Sequence, residues 1–397
     1  MHISMYNTWF GDCFELKNDT QKLFVDFGIH KDSPIHCPNI AGVTRTREVA
    51  HNEISLEIQK AKGADFLLTH YHEDHFSGLL YMYNNSAVFS SPIFNTVYIP
   101  DVWNTPNSTT TVSLLLLEEL LKNSRISGHP GTPNLMELIK YLCGGAKNLI
   151  LTKRGTPIAF NNSIALWPDP EKINHTAQRY YERLLERPHL REILSELTPI
   201  AIELRERVLW MVSSEEYART EQTTNAFLSI ESRLSSLSER FRFVLTDQSY
   251  TEDCIRLNKF GNTISIVFHN KENSQNNYLF TGDITKGHLN RISKNYDGKH
   301  PLHSHYKYIK IPHHGTDNHY FDFSVLHPEI IMIPNGECCN DSYKISRKYC
   351  TSCSPTGLPR VYCSNCNWCA ANPGRQYATG TCILRQLVFP KISILVI

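Results

Sequence analysis

Four potential metal ligands fall within six residues at His70, His72, Asp74 and His75, in the pattern H-x-H-x-D-H, directly behind the apolar run of residues 64–69. The run predicts a short buried strand. A strand that ends at His70 sends alternate side chains to one side, so His70 and His72 converge on one cation while Asp74 and His75 face a neighbouring position. Two imidazoles suit zinc; a carboxylate with a further imidazole suits a second zinc, iron or manganese ion that leaves a position open for water. The chemistry of such a centre is hydrolysis. The bland alternative is a solvated histidine-rich loop, or a helix cap through Asp74. Three histidines and an aspartate at this spacing behind a strand weigh against it.

Other strand ends offer partners. Residues 277–280 read as a strand that runs into Thr281-Gly282-Asp283, where a carboxylate could bridge two ions. Residues 308–312 read as another, delivering His313 and His314 in His-His-Gly. Upstream, residues 11–16 and 22–28 read as two strands joined by the turn-forming Asn18-Asp19, and Asp26 ends the second. Two readings of Asp26 stand side by side, orientation of the metal histidines from behind and a turn cap.

The residues Val25-Asp26-Phe27-Gly28, His70-x-His72-x-Asp74-His75, Phe280-Thr281-Gly282-Asp283 and Ile311-Pro312-His313-His314-Gly315 resemble the successive motifs of the metallo-β-lactamase fold. The last two most resemble the soluble hydrolase domain of the ComEC DNA-uptake family. The resemblance covers roughly residues 1–100, 145–170 and 243–335. It implies an α/β fold, an αββα sandwich with the metal site at one edge, used by nucleases, phosphodiesterases, lactonases and thioesterases. Fold alone does not choose among these.

Residue by residue, the resemblance makes His70 and His72 ligands of one metal and Asp74 and His75 ligands of another, with Asp283 bridging. His313 or His314 completes the second site. His313 is favoured because it leaves the strand directly, and His314 then meets substrate or protonates a leaving group. Many family members carry a further histidine between the H-x-H-x-D-H and G-D motifs, and none can be placed here. Residues 261–268 resemble the strand before the G-D hairpin, where asparagine is usual, so Asn262, His175 and His269 are the candidates to assist. Two divalent ions, zinc or manganese, are expected, with the occupancy of the first left open. Water between two cations about 3.5–4 Å apart becomes hydroxide near neutral pH and attacks phosphorus or an acyl carbon. Asp74 would orient it. The favoured activity is that of a phosphodiesterase or nuclease. The alternatives are hydrolysis of a small ester, lactone or phosphorylated headgroup, and a catalytically weak binding or regulatory module.

Length and composition fit this frame. The chain has 397 residues, 41% of them apolar and 20% charged, as soluble globular proteins do. A net charge of +1 gives no global reason to expect nucleic acid, although a groove can be basic on a neutral protein. A nucleic acid or other phosphodiester is the expected substrate partner, a second copy or another protein remains open, and no membrane partner is expected. Met1 to Leu16 carries Asp12 and Glu15 without a basic-then-apolar organisation, so a cytoplasmic location is expected.

The chain reads as one metallo-β-lactamase-fold domain over 1–397 with two elaborations. Residues 171–242 form a helical insertion, read as a cap over the cleft through Arg179, Tyr180, Tyr181 and Arg183, or as a solvated hairpin or dimer contact. Residues 337–382 hold most of the twelve cysteines. The C-x-x-C pairs Cys350/Cys353 and Cys363/Cys366 predict a structural zinc on a Cys-rich C-terminal hairpin, since thiolates without a secretory signal favour metal over disulfide.

Overall fold

The computed structural model describes residues 1–31, 33, 36–38, 44–85, 92–105, 107–127, 134–214, 221–335, 345–346, 348–349, 360–363 and 391–395. The first three strands, β1 (His2–Tyr6), β2 (Cys13–Lys17) and β3 (Lys22–Phe27), run antiparallel. Asn18 closes the expected turn, its Oδ1 accepting the N–H groups of Thr20 and Gln21. A small hairpin of β4 (His36–Pro38) and β5 (Thr44–Thr46) and helix α1 (Arg47–Lys60) then lead to β6 (Asp65–Leu67). β6 lies parallel to β3, and β7 (Phe94–Pro100) and β8 (Ala146–Thr152) extend the sheet.

A second seven-stranded sheet runs β15-β14-β13-β12-β11-β10-β9, and both sheets mix parallel and antiparallel pairs. It comprises β9 (Pro157–Ile158), β10 (Ser163–Trp167), β11 (Val267–Asn270), β12 (Tyr278–Phe280), β13 (Tyr306–Lys310), β14 (Pro328–Ile333) and β15 (Arg360–Cys363). Its apolar side meets that of the first sheet. Ile3, Leu16, Val25 and Leu67 share one cluster with Phe268, Tyr308 and Met332, and the Phe14 and Phe280 rings meet edge to face at 5.3 Å. Helices α2 (Glu73–Asn85), α3 (Ser108–Ser127) and α4 (Asn134–Gly145) gather at the first sheet, α2 against β3, α4 against β8 and α3 against α4.

Among the described residues, the two strands of the chain tail do not pair with each other. β15 pairs parallel with β14, whereas β16 (Lys391–Leu395) pairs antiparallel with β1 in the first sheet. Each strand covers an edge that would otherwise present unpaired backbone groups, which explains their separation. Cys350, Cys353 and Cys366 lie outside the described residues, and Cys363 is described only as the last backbone position of β15.

The insertion is helical as expected. α5 (Pro170–Leu185) starts at the Asp169 cap, α6 (Pro188–Ser213) has Pro188 in its first turn, and α7 (Glu221–Arg240) follows, with α8 (Arg242–Thr246) after it. α5, α6 and α8 pack on α3, where Leu114, Leu116, Leu117, Leu120 and Leu121 are all buried. Residues 261–268 differ from expectation. Helix α9 (Thr251–Thr263), with Glu252 and Asp253 in its first turn and Leu257 and Phe260 buried, carries Asn262 at its end, and the strand begins only at Val267. α10 (Lys286–Ser293) completes the set. Among the described residues no helix is long and apolar enough to cross a membrane.

Candidate metal centre

Strand direction gathers the site. β3 and β6 in one sheet, and β12, β13 and β14 in the other, are parallel neighbours whose carboxyl ends open into adjoining loops, the usual place for ligands in such sheets. Asp26 sits on the last turn of β3, His70 and His72 follow β6, Asp74 and His75 open α2, Asp283 follows β12, and His313 and His314 follow β13. Three of these bend the chain sharply. Asp26, His313 and His314 have φ of 57°, 47° and 52°, a left-handed region that non-glycine residues enter at a cost of about 1–2 kcal/mol each. Gly28 makes the approach to α2 feasible, because a Cβ there would lie 2.3 Å from the Asp74 carbonyl carbon.

Asp74, His75, Asp283 and His314 come together. One ligand atom from each lies within 4.8 Å of all the others, and three of the separations are His75 Nε2 to Asp283 Oδ2 at 3.3 Å, His314 Nε2 to Asp74 Oδ2 at 3.1 Å and His314 Nε2 to Asp283 Oδ2 at 3.4 Å. Ligands about 2.0–2.1 Å from a tetrahedral ion stand about 3.3 Å apart, so the donor set fits a cation. His75 Nε2 is buried with no hydrogen-bond partner, as a nitrogen aimed at an ion would be. The cluster could hold a metal ion.

The opposite ring nitrogens are anchored. His75 Nδ1 lies 2.8 Å from Asp26 Oδ2, and Asp26 also accepts the Thr69 N–H and hydroxyl, both at 2.7 Å. His314 Nδ1 lies 2.8 Å from the Pro334 carbonyl and 3.1 Å from Asp12 Oδ1. These contacts aim the Nε2 lone pairs inward. The neighbouring group Asp12, Asp26 and His75 could also hold an ion, although Thr69, His75 Nδ1 and Lys310, whose Nζ is 2.5 Å from Asp12 Oδ2, already occupy part of its carboxylates.

Electrostatics follow the same plan. Burial alone would lower the His75 imidazole, but Asp283, Asp26 and Asp12 outweigh it and hold it well above its usual value. For His314 the same contest, decided by Asp283 and Asp12, ends with the ring pushed up to about 10. Asp74 and Asp283 go the other way: burial opposes ionisation, yet the surrounding imidazoles hold both well below the usual carboxylate range. For His70, burial and the neighbouring His75 and His72 outweigh Asp283 and Asp74 and lower it well below its usual value.

His70 and His72 also meet, His70 Nε2 standing 3.0 Å from His72 Nδ1, and the His70 ring packs 4.1 Å from that of His75. His313 does not join the cluster. Its Nδ1 lies 2.8 Å from Thr316 Oγ1, its ring stacks on His319 at 3.9 Å, and it lines the cleft. His314 turns inward instead, because both residues of the turn are left-handed. His269 is held by Tyr306 and His303 outside the cluster, and His175 is exposed on α5. Asn262 is buried, with Oδ1 unpartnered.

A cavity of about 180 Å³ opens from these ligands between α3, α4 and α9, lined by Asp74, Asp283, His313, Lys31, Lys122 and Glu119 among others. No described residue of 171–242 lines it. Tyr180 packs on Phe260 and Tyr181 bonds Thr198.

Sequence reasoning missed Asp12, Lys310 and Glu118. Lys310 carried a signal, falling two and four places after Tyr308 and Tyr306 on one buried face of β13. Glu118 carried another, since leucines on both sides of it leave no polar helix face. Asp12 had only the turn before β2 to mark it. No family model matches the chain, and no curated protein matches it either.

Proposed function

We propose that this chain is a metal-dependent hydrolase of the αββα metallo-β-lactamase type, acting on phosphodiesters. The observation that carries the reading is the convergence of Asp74, His75, Asp283 and His314, with His75 Nε2 buried and unpartnered, at the inner end of a cleft. Divalent ions, zinc or manganese, held there and at His70 and His72 would lower the pKa of water and neutralise charge developing on a phosphoryl group. His314 is the ligand after β13 in this reading. His313, on the cleft wall, then faces substrate, and because burial and the neighbouring His319 hold its imidazole well below its usual value it is neutral there and suited to hydrogen-bond a substrate oxygen. Asp74 Oδ2 lies beside His314 Nε2 and orients the attacking water, while Lys31 and Lys122 lend the cleft positive charge. Lys310, 3.2 Å from Asp283 Oδ1, holds that carboxylate in place from behind.

A second reading is favoured by the cleft itself. Its volume is small for a bulky ligand, and Glu73, Glu118 and Glu119 offset the lysines. A small ester or phosphorylated headgroup would suit it.

The test pairs metal analysis with cleavage of an aryl phosphodiester and of single- and double-stranded DNA and RNA. Manganese- or zinc-loaded protein should cleave a phosphodiester, and Asp283→Ala or His72→Ala should reduce the rate at least a hundredfold. Equal activity in both variants would sink the assignment. Cleavage of small esters alone would favour the second reading.

A further inference from the structure

We infer that Glu118 is a positioning residue for His72, fixing its ring so that Nδ1 faces an ion shared with His70. The inference rests on the proposal that His70 and His72 bind a metal, and it adds a residue that none of the recognised motifs contains.

The two ring nitrogens of His72 have different neighbours. Nδ1 stands 3.0 Å from His70 Nε2, and Nε2 stands 3.0 Å from Glu118 Oε1. Two nitrogens bound to one tetrahedral ion would be about 3.3 Å apart, so the His70–His72 pair has nearly that spacing. For both lone pairs to point at the ion, the protons must sit on His70 Nδ1 and His72 Nε2. Acceptors stand at both places. Thr69 Oγ1 is 3.2 Å from His70 Nδ1, and Glu118 takes the His72 proton.

An ion between His72 Nε2 and Glu118 is the competing arrangement. Lys122, one helical turn after Glu118, argues against it, because its ammonium already lies 2.5 Å from the same Oε1 and would repel a second cation. The pair is enclosed as well. Glu118 is buried, and a Cβ at Gly261 of α9 would lie 2.4 Å from His72 Nε2 and 2.9 Å from Glu118 Oε2, so that only glycine lets α9 close over the contact. Each imidazole of the centre apart from His70 is thus backed by a carboxylate, Asp26 for His75, Asp12 for His314 and Glu118 for His72. At the ion position that lacks a third histidine, Glu118 fixes the orientation and tautomer of the one ring it supports.

Cobalt(II) titration of the metal-stripped full chain, followed by visible absorption and chelator competition, tests this. His72→Ala and His75→Ala identify which equivalent belongs to which position. Glu118→Gln should weaken the equivalent lost in His72→Ala by about 10–100-fold and leave the other unchanged. Glu118→Asp, which keeps the charge but draws it back from His72 Nε2, should weaken the same equivalent by a smaller factor, and it decides the matter if Glu118→Gln does not unfold cooperatively. A Glu118→Gln protein, or failing that a Glu118→Asp protein, that binds both equivalents like wild type would overturn the inference while leaving the metal reading intact. Equal weakening of both equivalents would also overturn it, as a general structural effect. A wild-type chain with no equivalent sensitive to His72→Ala would remove the metal reading itself.

Discussion

Replacing Asp26 by asparagine removes a charge from behind His75 at constant volume, and the contacts fix how the amide must sit. Asp26 Oδ1 accepts the Thr69 backbone N–H, which cannot reverse its polarity, so the amide oxygen takes that place. The amide nitrogen then occupies the Oδ2 position, 2.8 Å from His75 Nδ1 and 2.7 Å from Thr69 Oγ1. The hydroxyl can rotate to accept. The imidazole can accept only by moving its proton to Nε2, the nitrogen that faces Asp283 Oδ2. A proton there competes with any ion. Loss of an outer partner of this kind costs about 10–100-fold in metal affinity, or about 1.4–2.7 kcal/mol. Stability of the metal-free protein changes less, because the lost charge-assisted bond, about 1.5–3 kcal/mol, is offset by no longer burying a carboxylate. Chelator competition measures the affinity, and nitrogen-15 shifts of His75 report the tautomer. Wild-type affinity with the His75 proton still on Nδ1 would refute the reasoning.

Two further substitutions probe the frame around the site. Burial pushes the Glu119 carboxyl up to about 8, although Oε1 accepts the Leu135 N–H at 2.7 Å. The folded chain therefore keeps a proton that the unfolded chain releases between about pH 4.5 and 8, and stability falls as pH rises through that window by up to about 1.4 kcal/mol per unit. Glu119→Gln keeps the acceptor and removes this slope, so its urea midpoint should exceed that of wild type at pH 8 and approach it near pH 4.5; parallel pH profiles would contradict the assignment. Gly28→Ala drives a methyl group into the backbone at Asp74 and should destabilise the chain by about 1–3 kcal/mol or more while weakening metal uptake. Unchanged unfolding and uptake would show that the approach of β3 to α2 is not as tight as described.

What could be read from the sequence follows from how buried parallel strands are written. β3, β6, β12 and β13 are short apolar runs ending at Asp, His or Gly-Asp, and all four lie within three residues of where the pattern puts them. Choices made by turns were not readable. His313 and His314 are adjacent and chemically identical, and only the two left-handed residues in the turn decide that His314 faces inward. Asn262 belongs in a strand by the resemblance of residues 261–268 to the one before the G-D hairpin, but the helical spacing of Leu257 and Phe260 and the acidic first turn of α9 prevail. Asp12 and Lys310 escaped because they answer to each other and to Asp283 across long stretches of chain, and Glu118 because its nearby partner Lys122 makes it read as an ordinary helix pair while His72 is distant. The cysteine expectations at Cys350, Cys353, Cys363 and Cys366 fall on residues or side chains outside those described.

The charge balance of the cluster explains why its two halves differ. Asp12, Asp26, Asp74 and Asp283 are all at most 9% exposed, and the one ammonium among them is Lys310. Four carboxyl groups against one cation cannot stay buried and ionised without further positive charge. In the metal-free chain the imidazoles of His75 and His314 supply it, which is why their protons are held so firmly. An ion held between Asp74, His75, Asp283 and His314 would take over that role, with release of the protons. Binding there would exchange one kind of positive charge for another, so the same carboxylates would support the fold with or without the ion. His70 and His72 have no comparable store of negative charge. Burial and neighbouring rings outweigh Asp283 and Asp74 at His70, and the carboxylate behind His72, Glu118, is shared with Lys122. The position formed by Asp74, His75, Asp283 and His314 should therefore fill first, and the geometry that Glu118 imposes on His72 governs how readily the other follows.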